Sequence, residues 1–210
     1  MDTWAVVLAA GSGTRFGGQK QFAMLGGTRL VDRVVETAST SCDAVVLVLP
    51  PDVPWDGTLV TATATGGASR AESVRSGLRL VPETARIIVI HDAAHPLASS
   101  ELFSSVIRAI HSGADAAVPG LRLTETMKRV ENGRVVETVT GPVLIAAQTP
   151  HAFRAEVLRA AHATGADAVD DTVLVEAIGA SIVVIPGDPM NVHVTTPAEL
   201  DLAARLLDAP

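Results

Sequence analysis

Between Gly11 and Lys20 the chain reads Gly-Ser-Gly-Thr-Arg-Phe-Gly-Gly-Gln-Lys, placing four glycines and two cations in one short stretch. Gly11 and Gly13 let backbone N–H groups approach polyphosphate oxygens without a side chain in the way, and Arg15 and Lys20 add positive charge. That combination suits a nucleoside triphosphate attacked at its α-phosphate, where negative charge grows in the transition state. Two better-known glycine loops do not fit. The dinucleotide fingerprint Gly-x-Gly-x-x-Gly has Phe16 in its third glycine position. The Walker A loop has the spacing at Gly13 and Gly18, but Gln19 separates Gly18 from Lys20, and Gln21 offers no hydroxyl for magnesium.

The elements that must hold this loop are legible in the hydropathy. Trp4–Ala10 is a continuous apolar run, which predicts a strand buried on both faces directly before the loop. Arg29–Val35 has helical spacing with Thr28 as the expected N-cap. Strands are expected at 43–49, 59–65, 86–90, 114–118 and 181–185, and helices at 68–80, 99–111, 154–163, 171–178 and from Pro197 onward. Strand and helix alternate, which predicts an α/β fold: a doubly wound, mostly parallel, Rossmann-like sheet in one domain spanning residues 1–210. Such sheets bind ligands beyond the carboxyl ends of their strands, where the glycine loop falls. The alternation fails over residues 121–147. There two polar β-rich segments flank Asn132-Gly133, the strongest short hairpin signal, and predict an inserted arm. Polar arms of this kind are expected to pack on a second subunit, since an isolated hairpin is marginal in water.

The chain has 210 residues, 48% hydrophobic and 19% charged, enough for a core without staples. Its net charge of −7 argues against a nucleic-acid partner. Cys42 is the single cysteine, which excludes a disulfide framework, and the six histidines lack zinc-ligand spacing. The N-terminus carries no signal-peptide pattern and no run reaches membrane-spanning length, so a cytoplasmic protein is expected.

Five segments together resemble the 2-C-methyl-D-erythritol 4-phosphate cytidylyltransferase family of non-mevalonate isoprenoid synthesis. They are the glycine loop, Gly66–Val74, His91–Pro96, Glu125–Arg129 and Gln148–Pro150. The resemblance runs from about Trp4 to Leu207. It implies a nucleotidyltransferase-type fold and transfer of CMP from CTP to a polyol phosphate, giving a CDP-alcohol and pyrophosphate. Arg15 and Lys20 are then the catalytic cations. Ala9, Ala10, Gly11, Gly13, Gly67, Arg70, Ser73 and Ala93 are at the nucleotide, and Asp92 holds Mg²⁺. His95, Thr126, Thr149 and His193 face the acceptor, and the arm makes a homodimer.

Several positions depart from the family pattern. Gln19 stands where proline is usual, Ala68 replaces an aspartate and Glu125 replaces another. His95 and Gly141 replace arginines, and His193 replaces a lysine. Arg and Lys dominate phosphate recognition, so a changed acceptor, or a nucleotide-binding pseudoenzyme, are the alternative readings. At His193 an imidazolium is expected to substitute for the lysine, which would make acceptor binding weaken as pH rises from about 6.5 to 8.5.

Overall fold

The computed structural model describes residues 2–139 and 144–208. The first buried run forms β1 (Thr3–Leu8), and the glycine loop leaves it at Ala9. A small ribbon, β2 (Met24–Leu25) and β3 (Thr28–Arg29), leads into α1 (Leu30–Ser41). Thr28 lies in that ribbon, so the expected N-cap is displaced: Arg29 occupies the cap and makes no side-chain capping bond. Then follow β4 (Ala44–Leu49), β5 (Ala62–Thr65), α2 (Arg70–Leu78) and β6 (Ile87–Asp92). The middle of the chain forms α3 (Ser100–His111), β7 (Ala116–Arg122), the ribbon β8 (Lys128–Glu131) and β9 (Arg134–Thr138), and β10 (Ile145–Ala147). Last come β11 (His151–Arg154), α4 (Ala155–Ala163), α5 (Asp171–Ala177), β12 (Ile182–Pro186) and α6 (Pro197–Leu207).

The main sheet runs β10-β7-β11-β6-β1-β4-β5, with β12 on the other side of β7. β1 pairs in parallel with β4 and with β6, β4 with β5, and β12 with β7. The chain therefore leaves β1 toward β4 and β5, then returns to lay β6 on β1's opposite side. That reversal is the switch point at which such sheets open a crevice. Two strands are not legible in the sequence pattern. β11 is antiparallel to both β6 and β7, and β10 is antiparallel to β7. Both are too short to show a period of their own.

Strand alternation sorts the core onto two faces. Ala5, Val7, Val45 and Leu47 pack with α1 and α3, whereas Val6, Val46, Ile88 and Ile90 pack with α2, α4 and α5. Gly77 sits where α2 crosses β1 and β4, and a Cβ there would come within 2.4 Å of Val6 Cγ1. The missing side chain lets α2 lie close to the sheet. A third cluster of Leu25, Leu30, Val194 and Ala203 binds α6 beside the glycine loop.

The hairpin forms as its sequence predicts, with Asn132 and Gly133 both at positive φ (49° and 75°) as a type I′ turn requires. Its base differs from the expected boundary. β7 continues to Arg122 and pairs with β10 (Arg122 opposite Ile145), so the ends of the 121–147 segment extend the main sheet. Only the part between them stands away from it. Val130, Val135 and Val136 on that ribbon are all more than half exposed.

Candidate active site

A cleft of about 450 Å³ opens at the switch point. Its walls are the ends of three strands and the turns beyond them: Ala9–Ser12 after β1, Gly67–Arg70 after β5, and Asp92–Ala94 closing β6. Lys20, Ser73 and His193 complete the lining. Of the residues singled out in the sequence, the fold thus brings together Ala9, Ala10, Gly11, Lys20, Gly67, Arg70, Ser73, Asp92, Ala93 and His193.

The glycine loop is braced from within. Gly13 has φ +66°, and a Cβ on it would collide with the Gly18 carbonyl, so no other residue fits that turn. Its carbonyl accepts from the N–H groups of Phe16, Gly17 and Gly18. Gly13 therefore shapes the loop and does not line the cleft. Gln21 is buried and donates from Nε2 to the Gly11 carbonyl. Arg15 is exposed at the loop's outer side, outside the cleft lining but near enough to repel the Lys20 ammonium. Lys20 donates from Nζ to the Val194 carbonyl at 2.7 Å. Partial burial, and then the charge of Arg15, lowers its pKa below the usual lysine value.

The opposite wall is the start of α2. Ser69 caps the helix by accepting from the Glu72 N–H, and the Ser73 hydroxyl accepts from the Gly67 N–H while donating to the Ser69 carbonyl. Ser73 thus fixes the turn that carries Gly67. The helix N-terminus faces the cleft, where its unpaired amides favour an anion. Arg70 is held between two carboxylates, 2.6 Å from Asp171 Oδ2 and 3.4 Å from Asp92 Oδ1. Although burial opposes its charge, the two acids raise its pKa further above the ordinary arginine value.

Asp92 ends β6 at the floor, its side chain partly open to the cleft. Its backbone N–H donates to Thr149 Oγ1, which also shares a hydrogen bond with His91 Nδ1. Thr149 and His95 are both buried and lie behind the lining. In this chain Thr149 sets the position of Asp92 instead of meeting the cleft. Asn191, fully buried, holds Thr149's carbonyl through Nδ2, and Gln148 in turn donates to the Asn191 carbonyl. Thr126 is exposed on the hairpin, away from the cleft lining of its own chain. Gly141 lies outside the described residues.

His193 stacks flat on His95, with ring centroids 4.7 Å apart and planes 9° apart. Burial, then the neighbouring His193, pushes the His95 pKa down to about 4. His193 itself is lowered by desolvation and by the charge of Lys20. The surroundings thus work against the expected imidazolium: burial, and then the Lys20 charge, disfavour protonation of His193, and burial keeps His95 neutral near pH 7.

Asp92 is the carboxylate suited to a divalent cation. Among the described residues no cluster of three or more His, Cys, Asp or Glu side chains could hold a metal by itself. One carboxylate beside a phosphate-sized cleft fits Mg²⁺, which keeps its waters and takes its remaining ligands from substrate phosphates. It does not fit zinc, which needs several protein ligands.

Sequence reading misses Asp171, His162 and Asn191. Asp171 and Arg70 are 101 residues apart, and no local pattern joins them. The two aspartates at 170 and 171 look in sequence like an ordinary helix start, and Asp170 does cap α5.

Comparison with known proteins agrees with this geometry. The family model described as "IspD: 2-C-methyl-D-erythritol 4-phosphate cytidylyltransferase" matches residues 3–209. A 2-C-methyl-D-erythritol 4-phosphate cytidylyltransferase of Frankia casuarinae is 41% identical, the alignment covering 97% of this chain and 80% of that protein. A bifunctional enzyme IspD/IspF of Solidesulfovibrio magneticus is 36% identical over all of this chain, which spans 58% of that longer relative. The crystal structure of the Thermus thermophilus cytidylyltransferase superposes with a TM-score of 0.85 at 28% identity, covering 97% of this chain and 98% of that one. The Gly11–Lys20 loop, the α2 N-terminus and Asp92 converge at the switch point of this sheet, and the chain belongs to the 2-C-methyl-D-erythritol 4-phosphate cytidylyltransferase family.

Proposed function

We propose that this chain transfers CMP from CTP to 2-C-methyl-D-erythritol 4-phosphate, giving 4-CDP-2-C-methyl-D-erythritol and pyrophosphate. The observation that carries the reading is the cleft itself: glycine-loop amides, Lys20, the capped N-terminal turn of α2 and Asp92 border one volume of nucleotide size. An oxygen of the acceptor phosphate attacks the α-phosphorus of CTP, and the bond to the pyrophosphate oxygen breaks. No proton has to be removed from the nucleophile, so no side chain acts as a base. The protein's part is to align the two phosphates and to stabilise charge on the α-phosphoryl oxygens. Lys20 and Arg15 supply that charge from the loop, and the amides around Gly11 supply fixed donors. Gly67, held by Ser73, borders the space for the base, with Ala9, Ala10 and Ala93 as apolar walls. Asp92 would hold Mg²⁺, which would supply positive charge to offset that of the nucleotide phosphates.

The acceptor meets His193 with His95 behind it, in place of a lysine and an arginine. Neutral imidazoles donate hydrogen bonds without full charge, so acceptor affinity rests more heavily on Lys20 and the metal. Thr126 reaches an acceptor only if the hairpin crosses to a second copy's cleft, and the exposed valines of the ribbon need such a partner. The working protein is therefore a homodimer joined by its arms, acting in the cytoplasm, where CTP is supplied. Thermal melting with each nucleotide and Mg²⁺ tests the assignment. CTP should raise the melting temperature more than UTP, ATP or GTP. Equal stabilisation by all four would refute cytidylyl specificity.

A further inference from the structure

The proposed reaction makes no use of one buried carboxylate, Asp171. It is the first residue of α5, 1% exposed, with one oxygen on Arg70 Nη1 at 2.6 Å and the other on His162 Nε2 at 2.9 Å. A carboxylate can only accept, so His162 Nε2 carries the proton in this bond. Burial opposes ionisation of Asp171, yet the His162 hydrogen bond and the Arg70 charge hold its pKa below the usual carboxylate value. Buried ionic groups of this kind seldom add stability over apolar replacements of the same size. The consequence of this group lies at the cleft, through Arg70.

Arg70 spans the two acids unequally. Its contact with Asp171 is as short as charge-assisted hydrogen bonds become, whereas its 3.4 Å contact with Asp92 exceeds the roughly 2.7–2.9 Å of a well-made one. The guanidinium is anchored on the helical side and only leans toward the floor. His162 fixes the anchor, because its bond to Oδ1 turns Oδ2 toward α2. Resting on the reading of this cleft as a Mg²⁺–CTP site, we propose that Asp171, backed by His162, is a positioning residue that draws Arg70 off Asp92 and so leaves the Asp92 carboxylate free for the divalent cation. Without Asp171, Arg70 keeps Asp92 as its only direct carboxylate contact among the described residues, with Asp170 acting through charge alone, so it closes on Asp92 and competes with the cation.

The test is a Mn²⁺ titration in the presence of a non-hydrolysable α,β-methylene analogue of CTP, read by the electron paramagnetic resonance signal of free Mn²⁺. Asp171→Asn keeps the shape and the His162 contact but removes the charge. It should raise the half-saturating Mn²⁺ concentration about tenfold, equivalent to about 1.4 kcal/mol, while Asp171→Glu should stay near the parent. In an Arg70→Met background the same Asp171→Asn change should have no further effect, since the competing guanidinium is gone. If Asp171→Asn does not fold, as melting curves would show, His162→Phe carries the test, with a smaller weakening in the same direction. A folded Asp171→Asn protein with parental Mn²⁺ affinity overturns the proposal, as does an equal loss in the Arg70→Met background. A parent that binds neither the analogue nor Mn²⁺ overturns the cleft assignment as well, which separates the two failures.

Discussion

Lys20 is tied into the fold of its loop and, in the proposed reaction, is also a catalytic cation. Its Nζ rests on the Val194 carbonyl, and a phosphate entering the cleft offers a stronger partner for the same ammonium. Lys20→Ala should lower turnover about 10²–10³-fold, as loss of one transition-state donor does, with a melting temperature near that of the parent. Pyrophosphate release and calorimetry check both halves, and parental turnover would remove Lys20 from the mechanism. The stacked histidines change an expectation drawn from sequence. His193 faces Lys20, Arg15, Asp92 and Glu199 with His95 beneath it, and the net effect of these surroundings is a lowered pKa. A lowered pKa moves any His193-dependent weakening of acceptor binding to lower pH than an ordinary histidine would give. Dependence should appear below pH 6.5, where a bound phosphate dianion can draw a proton onto the ring, and His193→Lys should abolish it. A rise between pH 6.5 and 8.5 that vanishes in His193→Lys would restore the imidazolium at neutral pH. The places of Lys20 and Asp92 in the cleft were legible because cation and acid follow strong apolar runs, whereas Arg15 of the same loop falls outside the lining. The buried positions of Thr149 and His95 were not legible, because sequence gives residue type at a strand end but not which side of the floor it occupies.

At the scale of elements, the site is held by ends rather than middles. The strands and helices that build the switch point were legible from apolar runs and helical spacing, whereas the side-chain caps at Ser69, Ser99 and Thr196 come from the structure. β11 was not legible, since its short antiparallel insertion between β6 and β7 is decided by tertiary pairing. The last helix illustrates the positioning role. Thr196 and Glu199 form a reciprocal capping box on α6, and Glu199 also accepts from Thr195. That box fixes the segment whose Val194 N–H donates to the Ala94 carbonyl and whose Val194 carbonyl receives Lys20. The Thr195 hydroxyl first, and then backbone N–H groups, pull the Glu199 pKa down to about 2. A carboxyl lowered from its ordinary 4.5 contributes stability above that pH and loses it as pH falls toward 2. Glu199→Gln should cost about 1 kcal/mol at neutral pH, or roughly 2–4 °C in a chain of this size. The gap from the parent should close on acidification. Melting curves from pH 7 to pH 2.5 measure it, and a gap that stays constant would show that the charge of Glu199 is not what holds the cap.

Among the described residues, the sheet gathers a cleft at its switch point and leaves the β8–β9 ribbon exposed with three bare valines. Val130 and Val135 oppose each other on that ribbon, and exposed Val136 lies at its register irregularity. Light scattering at micromolar concentration should give twice the chain mass of 21.7 kDa, and Val135→Asp should shift the protein toward monomer and raise acceptor KM. A monomeric parent would contradict the exchanged arm. The hairpin was legible from Asn132-Gly133, but the exposure of Val130, Val135 and Val136 was not, because residue type alone does not say which side of a ribbon is covered. The central claim is that this cleft joins CMP to a polyol phosphate, and the reaction itself tests it most directly. Purified protein is incubated with CTP, Mg²⁺ and 2-C-methyl-D-erythritol 4-phosphate and followed by phosphorus NMR. The account predicts pyrophosphate and 4-CDP-2-C-methyl-D-erythritol in equal amounts, both absent when the acceptor is omitted. CTP left intact, or consumed with release of inorganic phosphate and no CDP-alcohol, would contradict it.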